Sequence, residues 1–229
     1  MIIKFIKNKI KDKLNKPLKR RKKLLTHFGI TKILDVGANT GQYASELRKI
    51  KFEGEIVSFE PINSVFKILK KNLINDTKCS FNNFALGDKN EIKIINIAKN
   101  LASSSFFLRA EHLVESAKYT EYVSKEKVEI KVLDNIFDSI CNLNDVVFLK
   151  LDTQGYEKNI LNGAKESLKK IKGIQIELAL KPSYDNAPGF KEIYKILEES
   201  GFTLFSVEEG FEDEKTGQLL ELDAIFFRQ

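Results

Sequence analysis

Only two cysteines and two histidines occur among the 229 residues, and no apolar run approaches the ~20 residues that span a bilayer. Cys79 and Cys141 lie far apart. With no export signal in the sequence, the expectation is two free thiols in a reducing compartment. Cysteines and histidines show no paired-ligand interval, so spacing supports no zinc site. With so few histidines and so many serines, no Ser-His-Asp constellation can be read. A compact apolar segment of the kind found in cleaved secretory signals is also missing, and cytoplasm is the expected compartment. No internal repeat is found, and no low-complexity tract beyond a lysine-rich start. What is present is a 42% hydrophobic composition, enough for one domain with a real core.

Charge divides the chain. Residues 1–25 hold eleven Lys or Arg and a single acid, Asp12, a local +10, while the rest carries 27 basic and 31 acidic residues. A basic leader (1–29) and a mildly acidic body (30–229) are the expected units. In the leader, Ile2, Ile3, Ile6, Ile10 and Leu14 recur near helical spacing with lysines between them, and Pro17 would end or restart that helix. Such a helix could lie on an anionic membrane face, touch phosphates, cover the domain itself, or stay solvated.

From residue 32 strand and helix alternate. Strands are expected at 32–37, 55–60, 79–85, 146–151, 173–179, 202–207 and 222–228, with further strand-like pieces at 91–97 and 128–133. Helices are expected near 41–50, 62–74, 134–140, 156–170 and 188–200. Alternation implies crossover connections and a mostly parallel sheet with helices on both faces. Between the last two strands there is no room for a packed helix, so they read as a hairpin with one antiparallel strand. That is the seven-stranded, Rossmann-like α/β sheet of class I methyltransferases. Residues 98–127 are expected as a loop or short helices over the carboxyl edge of the sheet, where ligands bind in such folds.

The stretch "KILDVGANTGQYASELRK" carries most information. It departs from the dinucleotide Gly-x-Gly-x-x-Gly pattern and reads Asp35-x-Gly37-x-Asn39-x-Gly41. Gly37 and Gly41 would let backbone approach a ligand closely. Glu60, nineteen residues after Gly41 and at a strand end, could accept both hydroxyls of a ribose. Ala85 and Leu86 offer an apolar surface for adenine, and Asp35 could hold an ammonium or a water beside it. Ribose, adenine and ammonium without pyrophosphate describe S-adenosylmethionine.

With "DVGANTGQYASELR", "SFEP", "ALGD", "KLDTQGYEKNILNGA" and "LDAIFFR" in order, the chain resembles the FkbM family of S-adenosylmethionine-dependent methyltransferases over about residues 30–229. The resemblance implies the class I fold, S-adenosylhomocysteine as product, and methylation mostly of oxygens. Its branch looks like that of glycan-assembly proteins, so a sugar or glycan-precursor hydroxyl is the implied acceptor. By motif, Asp35, Gly37, Asn39 and Gly41, with Ala38 between them, would line the methionine and ribose side. Glu60 would grip ribose with Pro61 beside it, and Lys150 through Glu157 would face the transferred methyl. Gln154 stands where many relatives carry an acid, so a metal role does not carry over.

Oxygen methylation needs an in-line approach and a base or metal to activate a poor nucleophile. Asp152, at the end of a central strand, is the first candidate base, with Glu177 next and His112, in the irregular segment, third. Lys150 is expected to point to the opposite face from Asp152. Ser103, Ser104 and Ser105 could bond substrate or form a turn. Asp152 and Glu177 could meet across adjacent strands around Mg²⁺, a minimal ligand set. An RNA methyltransferase is a rival reading. Against it, the fourth strand lacks an Asn/Asp-Pro-Pro-aromatic motif and the body is acidic. A non-catalytic membrane-docked module is a second rival, and a nicotinamide oxidoreductase a third with the wrong glycine spacing.

Overall fold

Strands rich in apolar residues lie at the centre of the main sheet. The computed structural model describes residues 16–213 and 215–229, so the leader pattern over 2–14 lies outside the described residues. In chain order the elements are α1 (Lys16–His27), β1 (Lys32–Val36), α2 (Gln42–Lys49), β2 (Glu55–Phe59), α3 (Asn63–Leu73), β3 (Cys79–Asn82), β4 (Ala85–Gly87) and β5 (Glu91–Ala98). After them come α4 (Glu111–Ser116), β6 (Tyr122–Val132), α5 (Leu133–Ile140), β7 (Val147–Leu151), α6 (Glu157–Asn162), α7 (Lys165–Lys170), β8 (Ile171–Ala179), α8 (Phe190–Glu199), β9 (Thr203–Glu209) and β10 (Glu221–Phe227). The main sheet runs β3-β2-β1-β7-β8-β10-β9. β10 is antiparallel to both neighbours, and the other pairings are parallel, as the terminal hairpin required.

β1 and β7 are buried along their whole length because helices cover both faces. Alternation sorts their side chains into two cores. Ile33, Ile56, Phe148 and Ile225 pack with Leu25 of α1, Leu47 of α2 and Leu69 of α3. Leu34, Val57, Leu149 and Phe226 pack with Phe137 of α5, Ile160 of α6, Leu168 of α7 and Leu197 of α8. The second part of the leader belongs to the first core. Pro17 sits in the opening turn of α1, where its missing N–H costs nothing. Phe28 stacks on Phe227 with ring centroids 3.9 Å apart.

Three expectations change. The strand expected over 79–85 is two: β3 joins the main sheet, and β4 pairs with β6 in a separate sheet ordered β4-β6-β5. β6 is far longer than 128–133, because antiparallel pairing with β5 extends through the polar stretch from Tyr122. The helix expected over 156–170 breaks at Gly163, where a Cβ would stand 2.0 Å from the Gly87 carbonyl oxygen, so the chain turns there against β4. Among the described residues no helix is long and apolar enough to cross a membrane.

Candidate active site

At the carboxyl ends of β1, β2 and β7 a cleft of about 390 Å³ opens. Its floor is the turn after β1. Gly37 and Gly41 have φ of 74° and 91°, and Asn39, at 48°, shares the left-handed region that asparagine tolerates better than most residues. A Cβ on Gly37 would lie 1.9 Å from the Asp152 carbonyl oxygen, so only glycine lets the turn seat against the end of β7. Asn39 caps its own turn, accepting the Thr40 N–H at 2.7 Å.

Glu60 fastens this turn to β2. One carboxylate oxygen accepts the Asn39 N–H at 3.0 Å and the other the Ile62 N–H at 2.9 Å. The side chain borders the cleft while only 5% of the residue is exposed. Burial pushes its carboxyl up to about 7 despite those two donors. A carboxylate has about four acceptor positions, so two remain for ligand hydroxyls. Gly37, Ala38, Asn39, Pro61, Ala85 and Leu86 line the cleft. Gly41 serves behind it: a Cβ there would meet Leu73 of α3 at 2.8 Å.

Asp35 does not line the cleft. It is fully buried behind the turn, 3.2 Å from Lys150 Nζ. Lys150 in turn donates to the Gly37 carbonyl at 3.0 Å and lies 3.5 Å from Asp152 Oδ2. The expectation that Lys150 faces away from Asp152 is wrong, since residues two apart share one face of a strand. Burial disfavours the lysine's charge, but Asp35 and Asp152 outweigh it and hold Lys150 above its ordinary value.

Asp152 and Glu177 come together, but with an amide between them. Gln154 Nε2 donates to Asp152 Oδ1 at 3.1 Å and to Glu177 Oε2 at 3.0 Å, while its Oε1 accepts the Tyr184 hydroxyl at 2.7 Å. Gln154 holds a left-handed φ of 55° to do so. The amide occupies the place a shared Mg²⁺ would need, so these residues as arranged do not fit that ion. Among the described residues no group of three or more His, Cys, Asp or Glu is placed for a metal. Burial, and after it the Asp152 charge, drives the Glu177 carboxyl well above its ordinary range. Glu157, the last residue of the fourth-strand motif, turns inward and accepts the Thr153 N–H and hydroxyl at 2.8 and 2.9 Å. It shapes the loop and does not border the cleft.

His112 is likewise absent from the cleft lining. It sits on α4, where burial and the Lys181 charge lower its basicity. The serines serve the local turn: Ser104 Oγ accepts the Ala98 N–H at 3.0 Å, and Ser105 Oγ donates to the Gln154 carbonyl at 2.7 Å. Those bonds hold residues 101–106 as a strap whose Leu101, Ala102 and Phe106 complete the apolar end of the cleft.

Arg21, Tyr43, Gln175 and Asp223 also line it, and sequence reasoning missed all four. Arg21 comes from α1, paired with Glu208 at 2.8 Å and Glu46 at 3.2 Å, its guanidinium 4.9 Å from the Tyr43 ring centre. The Tyr43 hydroxyl donates to Gln175 Oε1 at 3.0 Å. Polar residues inside largely apolar strands, as Gln175 is in "IKGIQIELA" and Asp223 in "ELDAIFF", were the available signal.

A family model described as the methyltransferase FkbM domain matches residues 35–204. A curated relative, Methyltransferase 1 of Beauveria bassiana (strain ARSEF 2860), is 22% identical over 184 residues, covering 75% of this chain and 72% of its own length. Among solved structures, magnesium protoporphyrin IX methyltransferase from Synechocystis PCC 6803, with bound SAM, superposes with TM-score 0.50 at 9% identity, over 98% of this chain and 84% of its own. A Listeria monocytogenes protein designated an S-adenosylmethionine-dependent methyltransferase gives 0.51 at 10% identity, over 94% and 97%. These likenesses show a shared fold. The family match runs from the end of β1 through both bridged carboxylates, and the chain belongs to the FkbM methyltransferase family, with S-adenosylmethionine as its cofactor.

Proposed function

We propose that this methyltransferase acts on oxygen, and that its acceptor is a sugar hydroxyl of a surface glycan or of its precursor. The observation that carries the reading is the Asp152–Gln154–Glu177 bridge at the polar end of the cleft. When bound, S-adenosylmethionine supplies a methyl group on a sulfonium, an electrophile without further activation. What remains for the protein is to hold a hydroxyl in line and remove its proton.

Asp152 is suited to the proton. Its side chain is 43% exposed toward the cleft, and Lys150 places a positive charge 3.5 Å from Oδ2. With the acceptor hydroxyl held in line, the Asp152 carboxylate would take its proton as the oxygen is methylated. Glu177, whose carboxyl burial drives well above its ordinary range, lines the cleft beside Asp152 and is placed to bond a neighbouring sugar oxygen. Glu60 takes the ribose hydroxyls on its two free acceptor positions, and Ala85, Leu86 and the strap enclose the adenine.

The test is turnover with a panel of sugars and nucleotide sugars, following S-adenosylhomocysteine release and locating the new methyl by NMR. A methyl ether on a sugar is expected. A chain that binds the cofactor yet methylates only nitrogen, or only RNA, refutes the oxygen and sugar assignments.

A further inference from the structure

The direction of α1 fixes where the basic leader leaves the domain. Arg20 donates to Ser206 Oγ at 2.9 Å and Arg21 pairs with Glu208, at the carboxyl-edge end of β9. At the other end of the helix, Phe28 meets Phe205 and Phe227, toward the amino edge. α1 therefore runs from the cleft side of the sheet to the opposite side. Arg21 already lines the cleft, and Lys16 stands ~7.5 Å further out along the helix axis at 1.5 Å per residue. The start of α1 thus stands beside the cleft mouth.

Charge on α1 is divided by residue type. Both arginines are engaged with the domain, and Lys16, Lys22 and Lys23 are exposed. Ahead of them come five more lysines and a single Asp12, interleaved with Ile2, Ile3, Phe5, Ile6, Ile10 and Leu14. Lysines alternating with bulky apolar residues suit a surface with anionic headgroups above an acyl layer. A polyanion without an apolar layer would leave those side chains unused. The remainder of the chain, with four more acids than bases, is not drawn to such a surface. The charge asymmetry alone would turn the leader end toward it. The strap leads into a segment, residues 107–123, with four exposed apolar side chains: Leu108, Val114, Tyr119 and Val123.

We infer that residues 1–23 dock on an anionic lipid surface, with the mouth of the cleft turned toward that surface. The acceptor would then be presented at the membrane face, by a lipid-linked or membrane-held precursor. The docking itself does not depend on the acceptor, so its test contains none.

The full chain is sedimented with vesicles of phosphatidylcholine alone and of phosphatidylcholine mixed with phosphatidylglycerol. Binding to the mixed vesicles only, weakening as salt rises, is the expected result. The triple variant Lys16→Glu, Lys22→Glu, Lys23→Glu should bind them at least ~100-fold more weakly, from about a factor of five per neutralised charge. Amide exchange on the vesicles reports orientation: protection is expected at the start of α1 and in 107–123, and none at 51–54 or 142–145 on the amino edge. Equal binding to neutral vesicles, no binding to either, or protection at the amino edge overturns the inference. So does binding of an RNA oligonucleotide at a salt concentration where anionic vesicles are ignored. If the triple variant does not fold, the salt dependence and exchange pattern of the unaltered chain still decide.

Discussion

Cofactor binding should release a proton near neutral pH, and Glu60 is the group that supplies it. With its carboxyl pushed up to about 7, Glu60 is about 90% protonated at pH 6 and about 90% ionised at pH 8. Accepting two backbone N–H groups and two ribose hydroxyls needs both oxygens as acceptors, which only the carboxylate provides. Affinity for S-adenosylmethionine should then be about tenfold lower at pH 6 than at pH 8. The sign for stability is opposite. The folded-state value lies above the ordinary value of an unfolded glutamate, so over that window the folded chain binds more protons. Glu60 therefore contributes falling stability as pH rises from about 4.5 to about 7, worth roughly 3 kcal/mol in all. Calorimetric titration in buffers of different ionisation enthalpy counts the released proton directly. About one proton should leave at pH 6 and almost none at pH 8. Glu60→Gln places an NH₂ against either the Asn39 or the Ile62 N–H. That variant should bind 5- to 150-fold more weakly, from ~1–3 kcal/mol for the mispaired group, and lose the pH dependence. PH-independent affinity in the unaltered chain, with no proton released at pH 6, would refute the reasoning.

Asp152→Asn should lower turnover by ~10²–10⁴ while leaving the cofactor dissociation constant within about twofold. Retained turnover in a stopped assay would remove Asp152 as the base. Gly37→Ala forces a Cβ into the Asp152 carbonyl at a φ of 74°, and a loss of at least ~2 kcal/mol is expected in urea unfolding. Arg21→Met leaves Glu208, whose side chain is 7% exposed, without its partner; ~3 kcal/mol should be lost, and a loss below ~1 kcal/mol would mean that α1 is not anchored by this pair.

Much of this architecture is legible before any coordinates. β1, β2 and β7 announce themselves because burial on two faces leaves little room for polar residues, and Asp35, Gly37, Asn39 and Gly41 mark the turn at a spacing that excludes a dinucleotide motif. Sequence pattern is blind where backbone pairing rather than burial makes the structure, as in β6, whose first half is polar. Nor does it report contacts between distant segments. Arg21 and Asp223 reach one cleft from opposite ends of the chain, and no local periodicity announces that. Two residues were misplaced for opposite reasons. Asp35 has the right chemistry for a ligand but faces the lysine behind it, and Lys150, set aside on strand alternation, ties the turn to Asp152. His112 was a candidate because the irregular segment could bring it over the substrate, yet on α4 it lies outside the cleft lining.

The placement of β10 bears on how the protein is made. β10 lies between β8 and β9, so while the chain emerges from the ribosome β8 has no partner on one side until residues 221–227 have been synthesised. During that interval the nine residues "IKGIQIELA" present an open edge with unpaired backbone groups, a template for pairing with other chains. The same residues bring Asp223 to the cleft, so a nascent chain lacking them has an exposed seam and an unfinished polar wall. Insertion of one late strand seals the sheet and completes the site together, which ties the end of the aggregation-prone interval to the onset of ligand binding.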